Sequence, residues 1–252
     1  MLAVFVGEIV VICLMGSLFG LAELVRPAVA RAGWTRRLPQ TFAIFLVVMI
    51  FGFTAHHLIQ SGLTFGATLL HLSGIPIALM AVPLVVKLVV MRFGTDLGMY
   101  WVHRSMHTRA LWRFHRWHHS TLELNWLSGW RSSFFHLVLN GVPSTLMAWA
   151  FHVPRPWIIV LGLSYVFEQL FNHTNVDVNL GPLEWLLVTP RTHRLHHSVE
   201  PAHRDSNFGF FLTIWDRMFG TYQSPREVAA GYALGLDPKD DARHPIRMAI
   251  GL

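Results

Sequence analysis

The sequence contains little cysteine and little charge. Its 252 residues include one cysteine, Cys13, which lies within an apolar run. A disulfide framework is therefore excluded, as are metal sites built from several thiolates. Charged residues make up 13% of the chain and hydrophobic residues 53%. Because a soluble domain carries about 25% charged residues, this chain cannot cover itself with an ordinary polar surface.

The apolar residues are concentrated in a few stretches. A helix needs roughly 20 mainly apolar residues to cross the hydrocarbon core of a bilayer. Three stretches of about that length and two shorter ones occur, at residues 3–25, 41–60, 72–91, 134–151 and 157–171. Pro76 and Pro83 are expected to kink the third stretch. The sequence therefore predicts an all-α integral membrane protein with about four to five transmembrane helices.

Three of these stretches allow more than one interpretation. The first resembles a signal peptide, since Ala28-Val29-Ala30 could be a cleavage site. However, no Lys or Arg precedes the stretch and Arg26 follows it, so a retained helix is favoured. The last two stretches are short, and residues 134–171 are expected to form either a tight hairpin or an interfacial re-entrant pair.

Arginines are concentrated between the first two apolar stretches, in residues 92–133 and in the C-terminal part. Short loops rich in Lys and Arg usually face the cytoplasm, so this distribution predicts a multi-pass protein with its polar segments on the cytoplasmic side. The formal charge of +6 has the same origin. No recognition element for nucleic acid is present, and nucleic acid is not an expected partner.

Histidine is unusually abundant, with sixteen residues in the chain. Eight of them form three short motifs, namely His103-x-x-x-His107, His115-x-x-His118-His119 and His193-x-x-His196-His197. Residues at i, i+3 and i+4 lie close together on a helix, so each motif can present several imidazoles to one centre. If these eight histidines were merely solvent-exposed on a polar surface, the recurrence of the same H-x-x-H-H spacing would have no explanation. The motifs therefore predict a metal site.

The number of imidazoles limits the kind of metal site. Eight ligands exceed the needs of one tetrahedral zinc ion, and the zinc-protease signature H-E-x-x-H is absent. Two ions are therefore expected. Imidazole suits iron, copper, nickel and zinc. Two iron ions with nitrogen ligands and open positions can bind and reduce O2, whereas zinc has no redox chemistry and cannot.

Residues 90–222 resemble the fatty acid hydroxylase/sterol desaturase superfamily. The resemblance depends on the three motifs in order and on their flanking sequences. These are Asp96-Leu-Gly-Met-Tyr-Trp-Val-His103, Asn172-His173-Thr-Asn175, Thr189-Pro-Arg-Thr-His193, Asp205-Ser-Asn207-Phe-Gly and Trp215-Asp-Arg-Met-Phe-Gly-Thr221. The resemblance implies a membrane anchor below a cytosolic helical cap, two non-haem iron ions, and hydroxylation or desaturation of a lipid.

The resemblance also implies which residues bind metal. By position, the ligands are His103, His107, His115, His118, His119, His173, His193, His196 and His197. Gln169 stands where some members have another histidine, so one ion either lacks a ligand or uses water held by Gln169 or Asn172. His136 is a substitute ligand or an ordinary buried histidine. Asp96, Asp205 and Asn207 are candidates for supporting the ligands through hydrogen bonds, since metal-bound imidazoles usually donate their second N–H.

The predicted organisation has three parts. Residues 1–91 form the N-terminal membrane helices, residues 92–222 the catalytic domain including the membrane hairpin at 134–171, and residues 223–252 a cytosolic tail or lid. The chain carries no flavin, haem-attachment or ferredoxin motif, so electrons must come from a reductase, a ferredoxin or a cytochrome b5-like protein. Two alternatives remain, a membrane cytochrome and a histidine-rich metal-binding or transport protein without oxygenase activity.

Overall fold

The computed structural model describes residues 2–29, 34–70, 74, 79–228, 231–237 and 245–250. Regular structure within these ranges is helical. Backbone pairing there is limited to isolated bridges such as Pro27–Val176, and the described residues form no β-strand. The predicted all-α fold is confirmed.

Long helices alternate with short ones along the chain. The long helices are α1 (Leu2–Val25), α2 (Trp34–Leu69), α3 (Leu84–Met106), α5 (Phe134–Phe151) and α6 (Arg155–His173). The short helices are α4 (Trp112–His119), α7 (Pro190–His196), α8 (Ile214–Met218) and α9 (Pro245–Ala249), with 3-10 turns at Ser128–Trp130 and Gly181–Trp185. The main contacts join α2 and α3 to α5, α6 to α1 and α7, and α4 to α9.

Helix α3 differs from the predicted third apolar stretch at residues 72–91. Residues 80–83 form a turn, and the helix begins at Leu84, directly after Pro83. Pro76 lies outside the described residues. The helix then continues to Met106 without a break at residue 91. It therefore carries the first histidine motif at its C-terminal end.

Two of the described helices are long and apolar enough to cross a bilayer. They span Thr41–Leu69 and Phe134–Phe151, and only 22% and 17% of their most apolar windows are buried. A shorter apolar helix covers Ile9–Val25. Side chains such as Phe65 and Leu18 are about 70% exposed, which is typical of helices surrounded by lipid rather than by protein. Helix α6 follows α5 after three residues, 152–154.

A buried carboxylate fixes the end of α1 to the polar part of the molecule. The side chain of Glu23 is fully buried. Its Oε1 accepts hydrogen bonds from Trp126 N at 2.8 Å, from Asn175 N at 2.9 Å and from Thr174 Oγ1 at 3.1 Å. Since hydrogen bonds to a buried charge are strong, Glu23 holds the loops before α5 and after α6 in place.

Candidate metal centre

The nine histidines predicted as ligands converge into two adjoining groups. The five-histidine group contains His103, His107, His115, His119 and His196, and the four-histidine group contains His118, His173, His193 and His197. Within each group, one nitrogen from every ring lies within 4.8 Å of the others. The rings of His119 and His197 stack across the boundary, with centroids 4.4 Å apart. The structure therefore brings together all nine residues that the sequence singled out.

Each H-x-x-H-H motif contributes to both groups. On α4, His115 and His119 point to the five-histidine group and His118 to the other group. On α7 the assignment is reversed, since His193 and His197 belong to the four-histidine group and His196 to the five-histidine group. Positions i and i+4 of a helix lie nearly above each other while i+3 is displaced around the axis, so one motif can face two centres. Which group each histidine joins depends on how α4 and α7 face each other.

The spacing of the ring nitrogens suits metal coordination. In the five-histidine group, His115 Nε2 lies 3.1 Å from both His103 Nε2 and His119 Nε2. In the four-histidine group, His173 Nε2 lies 3.1 Å from His118 Nε2 and 2.9 Å from His193 Nε2, which is 3.1 Å from His197 Nε2. An octahedral ion with metal–nitrogen bonds of about 2.1 Å separates neighbouring ligand nitrogens by about 3.0 Å.

Backbone carbonyls and one carboxylate orient the imidazoles. His103 Nδ1 is 2.9 Å from Phe208 O, and His196 Nδ1 is 2.7 Å from Ser206 O. Similar contacts join Nδ1 of His173 to Gln169 O at 2.8 Å, of His118 to Arg131 O at 3.3 Å and of His107 to Asp205 Oδ1 at 2.9 Å. An Nδ1–H that donates to oxygen leaves Nε2 unprotonated and free to bind a metal.

Two buried nitrogens of the five-histidine group lack a partner within the fold. Nε2 of His107 and Nε2 of His196 are buried and have no hydrogen-bond partner among the described residues. A buried polar atom without a partner is costly, and a bound ion would satisfy both. The donor set of neutral imidazoles fits a first-row transition metal.

The other predicted site residues take different positions. Asp205 contacts His107, as described. Asp96 accepts hydrogen bonds from Phe211 N, Leu212 N and Trp215 Nε1. Asn172 Nδ2 donates to Phe210 O at 2.7 Å, and Asn207 exchanges hydrogen bonds with the backbone of Gln223. These three side chains therefore support the loop at 205–215 rather than an imidazole directly.

Gln169 and His136 lie beside the two groups. The amide of Gln169 donates to Gly129 O at 2.6 Å. Gly129 itself faces His173 so closely that an added Cβ would lie 2.7 Å from the ring, which explains why a residue without a side chain is needed there. His136 is buried, and its Nδ1 is 3.3 Å from His115 Nδ1. The carbonyl acceptors and Glu23 were not identified from the sequence, since a backbone oxygen leaves no residue-specific signal.

Burial keeps these imidazoles neutral. Desolvation lowers the pKa of His103 and of His173 from 6.5 to about 4. The pKa values of His107, His115, His118, His119, His193, His196 and His197 are lowered well below 6.5, first by burial and then by neighbouring imidazoles. Neutral imidazole is the form that binds metals, so the folded protein holds the ligands ready at neutral pH.

We expect the metal-free protein to lose stability between pH 7 and pH 5. The unfolded chain takes up protons on histidine near pH 6.5, whereas His103 and His173 stay neutral in the fold to about pH 4. The unfolded state therefore binds more protons in this interval, and stability falls as the pH falls. At pH 5.5, each of these two histidines should lower the free energy of unfolding by about 1 kcal/mol relative to pH 7. Thermal unfolding in detergent measures the effect, and a Tm that is constant from pH 7 to pH 5 would contradict it.

The fold and these two groups define a helical protein with a candidate two-metal imidazole centre at the ends of apolar helices. A family model described as fatty acid hydroxylase matches residues 88–221, just over half of the chain. The chain belongs to the fatty acid hydroxylase family.

Three curated relatives illustrate the range of the family. The chain is 38% identical over 141 residues to an alkylglycerol monooxygenase of Xenopus tropicalis, covering 53% of this chain and 30% of the relative. It is 37% identical over 151 residues to the ornithine lipid hydroxylase OlsE of Rhizobium tropici, covering 58% of this chain and 43% of the relative. It is 32% identical over 146 residues to the Delta(7)-sterol 5(6)-desaturase erg3A of Aspergillus fumigatus, covering 53% and 36%.

The matches cover well under half of each of these relatives. No solved structure matches this chain significantly. The curated relatives are named as lipid hydroxylases, monooxygenases and desaturases, and their association with lipid agrees with the outward-facing apolar helices of this chain.

Proposed function

We propose that this protein is a membrane-bound non-haem di-iron oxygenase that hydroxylates or desaturates a C–H bond of a lipid. The observation that supports this most strongly is the convergence of nine neutral imidazoles into two adjoining groups. The names of the relatives support the same reaction class. Hydroxylation consumes the lipid C–H, O2, two electrons and two protons and yields the alcohol and water. Desaturation consumes the same reagents and yields an alkene and two waters.

The proposed metal ligands are the nine histidines of the two groups. Two iron ions bound there would supply the activation of O2. The chain's own residues orient the imidazoles through the Nδ1 contacts and surround them with buried side chains. Exclusion of bulk water limits side reactions of an oxidant. Asp205 is proposed to hold His107 in position, and Asp96, Asn172 and Asn207 to hold the loop that supplies the carbonyl acceptors.

The proposed setting is a multi-pass membrane protein with four to five spans and the histidine groups in a cytosolic cap. The predicted organisation is retained, with residues 1–91 as the anchor, 92–222 as the catalytic domain with a membrane hairpin at 134–171, and 223–252 as a tail or lid. Electrons are proposed to come from a separate reductase, ferredoxin or cytochrome b5-like protein. The arginine-rich cap would attract an acidic partner.

His136 is proposed to support a ligand rather than to bind metal. Binding of metal through His115 Nε2 requires His115 Nδ1–H to donate to His136 Nδ1, 3.3 Å away. His136 Nε2 then carries the proton and faces the Asn140 amide at 2.8 Å. In the structure Asn140 Nδ2 faces His136 Nε2, so this arrangement requires the amide to turn by 180° and present its oxygen to that proton. The series of hydrogen bonds from His115 through His136 to Asn140 fixes the tautomer of His115.

We expect His136→Ala to weaken metal binding without removing a metal position. Loss of a group that orients a ligand typically lowers metal affinity about 10- to 100-fold. Chelator competition should show this loss, while the protein still binds two ions at saturating metal. Asn140→Ala should give a smaller loss in the same direction. A saturated ratio of one ion per chain in His136→Ala would instead identify His136 as a ligand.

Lipid extracts test the proposed reaction. Cells that express the chain together with a matching electron donor should accumulate lipids shifted by one added oxygen or by the loss of two hydrogens. Cells with equal amounts of His119→Ala should not, and cells with His203→Ala should, because His203 belongs to neither group and contacts Ser198 Oγ. If the metal-loaded protein leaves all lipids unchanged in the presence of working donors, the alternative of a metal-binding protein without oxygenase activity is favoured.

A further inference from the structure

One arginine beside the four-histidine group has no acceptor for its side chain. Arg131 lies between the 3-10 turn at Ser128–Trp130 and the start of α5, and its backbone oxygen is the acceptor that faces His118 Nδ1 at 3.3 Å. The side chain of Arg131 is largely buried, and Nε is fully enclosed. Its guanidinium forms no hydrogen bond or ion pair with any described residue.

Partly buried arginines elsewhere in the fold have an acceptor. Arg92 Nη2 donates to Glu168 Oε1 at 2.6 Å, and Arg194 Nη2 donates to Asn175 Oδ1 at 3.0 Å. Burial lowers the pKa of Arg131, and no carboxylate offsets that effect. A guanidinium nevertheless stays charged at neutral pH, and a buried charge without a partner is costly. Because a water molecule could accept an N–H but not neutralise the charge, the position calls for an anion.

The side chain next to Arg131 also lacks an acceptor. The guanidinium carbon of Arg131 lies 5.8 Å from the centre of the Trp117 ring, near the outer limit of a cation–π contact. Trp117 Nε1 is buried and has no hydrogen-bond partner among the described residues. Two neighbouring side chains therefore present N–H donors where the described fold supplies no oxygen to receive them.

The pair lies where α4 packs against the first turns of two apolar helices. Trp117 belongs to a core cluster with Val48 of α2, against which Leu137 of α5 also packs. Further along, Ile59 of α2 faces Gly141 of α5, so the two helices run in the same direction. Both helices therefore begin on the side of α4. In the proposed topology this is the cytosolic surface of the bilayer, where lipid headgroups lie.

We infer that Arg131 binds the anionic group of a lipid, a phosphate or a carboxylate, at the surface of the bilayer. The planar fork of a guanidinium matches both kinds of anion, and basic pockets at the cytoplasmic ends of membrane helices bind lipid headgroups. The inference rests on the proposed oxygenase function and adds the substrate class to it. The substrate is a lipid with an anionic group, held beside the four-histidine group.

Binding of matched lipids to the metal-loaded full chain in a neutral detergent tests the inference. Dioleoylphosphatidylglycerol is compared with dioleoylglycerol, and oleic acid with oleyl alcohol, by native mass spectrometry. We expect the anionic member of at least one pair to bind about 10-fold more tightly, the effect of one hydrogen bond between charged groups. Equal binding within both pairs would overturn the inference.

Inorganic phosphate and acetate distinguish a lipid from a free anion. Neither should displace the bound lipid at concentrations similar to that of the lipid, because the acyl chains contribute to binding through burial against the apolar helices. Displacement by either small anion at such concentrations would show that the site takes free anions and would overturn its assignment to a lipid.

Variants locate the preference at Arg131. Arg131→Gln should abolish the preference for the anionic lipid, and Arg131→Lys should retain part of it, since lysine keeps the charge but not the fork. Arg113→Gln is the matched control, because Arg113 is an exposed arginine on α4 and lies over the Phe114 ring. It should keep the preference. Equal losses in Arg131→Gln and Arg113→Gln would indicate general attraction to a basic surface and overturn the site.

Thermal unfolding separates a binding role of Arg131 from a structural one. Because the guanidinium has no acceptor within the described fold, Arg131→Gln should retain two ions and should not lower the Tm of the lipid-free protein. Phosphatidylglycerol should raise the Tm of the wild type but not that of this variant. Loss of metal and a lower Tm in both Arg131→Gln and Arg131→Lys would assign Arg131 a structural role and overturn the inference.

The two proposals fail in different ways. If lipids are oxidised but the preference for the anionic lipid is absent, the oxygenase function stands and the assignment of Arg131 falls. If the preference is present and depends on Arg131 but no lipid is oxidised with working electron donors, the site binds anionic lipids and the oxygenase function falls.

Discussion

His119→Ala and His197→Ala should each abolish lipid oxidation and lower the metal content from two ions toward one. The two residues belong to different histidine groups, although their rings stack at 4.4 Å. Removal of a ligand should cost more than the roughly 10- to 100-fold lost when a supporting residue is changed, so activity should fall by more than about 100-fold. Metal analysis of the purified variants and product formation measure both effects.

The control for these variants is His203→Ala. His203 lies only six residues after His197 but belongs to neither group, and it contacts Ser198 and the ring of Tyr232. It should retain two ions and normal activity. Retention of both ions and of activity in His119→Ala or in His197→Ala would contradict the assignment of that histidine as a ligand.

Asp96→Ala should destabilise the polar part of the molecule by about 3–5 kcal/mol, the usual cost of leaving the partners of a buried charge unpaired. The Asp96 carboxylate is fully buried and accepts hydrogen bonds from Phe211 N at 3.0 Å, Leu212 N at 3.2 Å and Trp215 Nε1 at 2.7 Å. The same loop carries Phe208 O, the acceptor for His103. Metal affinity should therefore fall together with stability.

Denaturant unfolding in detergent and chelator competition measure the two effects of Asp96→Ala. Asp96→Asn should be milder, because the amide keeps one acceptor oxygen. Asp177→Asn is the matched control, since Asp177 forms an exposed ion pair with Arg191, and such pairs contribute about 0–1 kcal/mol. Equal stability of Asp96→Ala and Asp177→Asn would show that Asp96 does not hold the loop.

The composition of the centre was predictable from the sequence because the histidine motifs are short and local. The proximity of His115 and His119, four residues apart on α4, follows directly from helical periodicity. The division into two groups was not predictable, since it depends on how α4 and α7 face each other. Spacing alone places His118 near His119, but only the packed structure assigns them to different groups.

Other parts of the centre depend on contacts between distant residues. Glu23 bonds to Asn175 across 152 positions of the chain, and no local pattern indicates such a partner. The sequence predicts that Asp96 supports the ligands through hydrogen bonds, but its partners are in the loop more than 110 positions away. The start of α3 at Leu84 likewise reflects a proline and a turn that hydropathy alone does not separate from the helix.

X-ray absorption on the purified, iron-supplied full chain, with metal quantified in the same sample, is the most direct test of the two-ion imidazole centre. We predict two iron ions per chain with nitrogen neighbours at about 2.1 Å, as expected for imidazole ligands. A chain that binds no metal under these conditions, or ions whose neighbours are sulfur or only oxygen, would contradict this account.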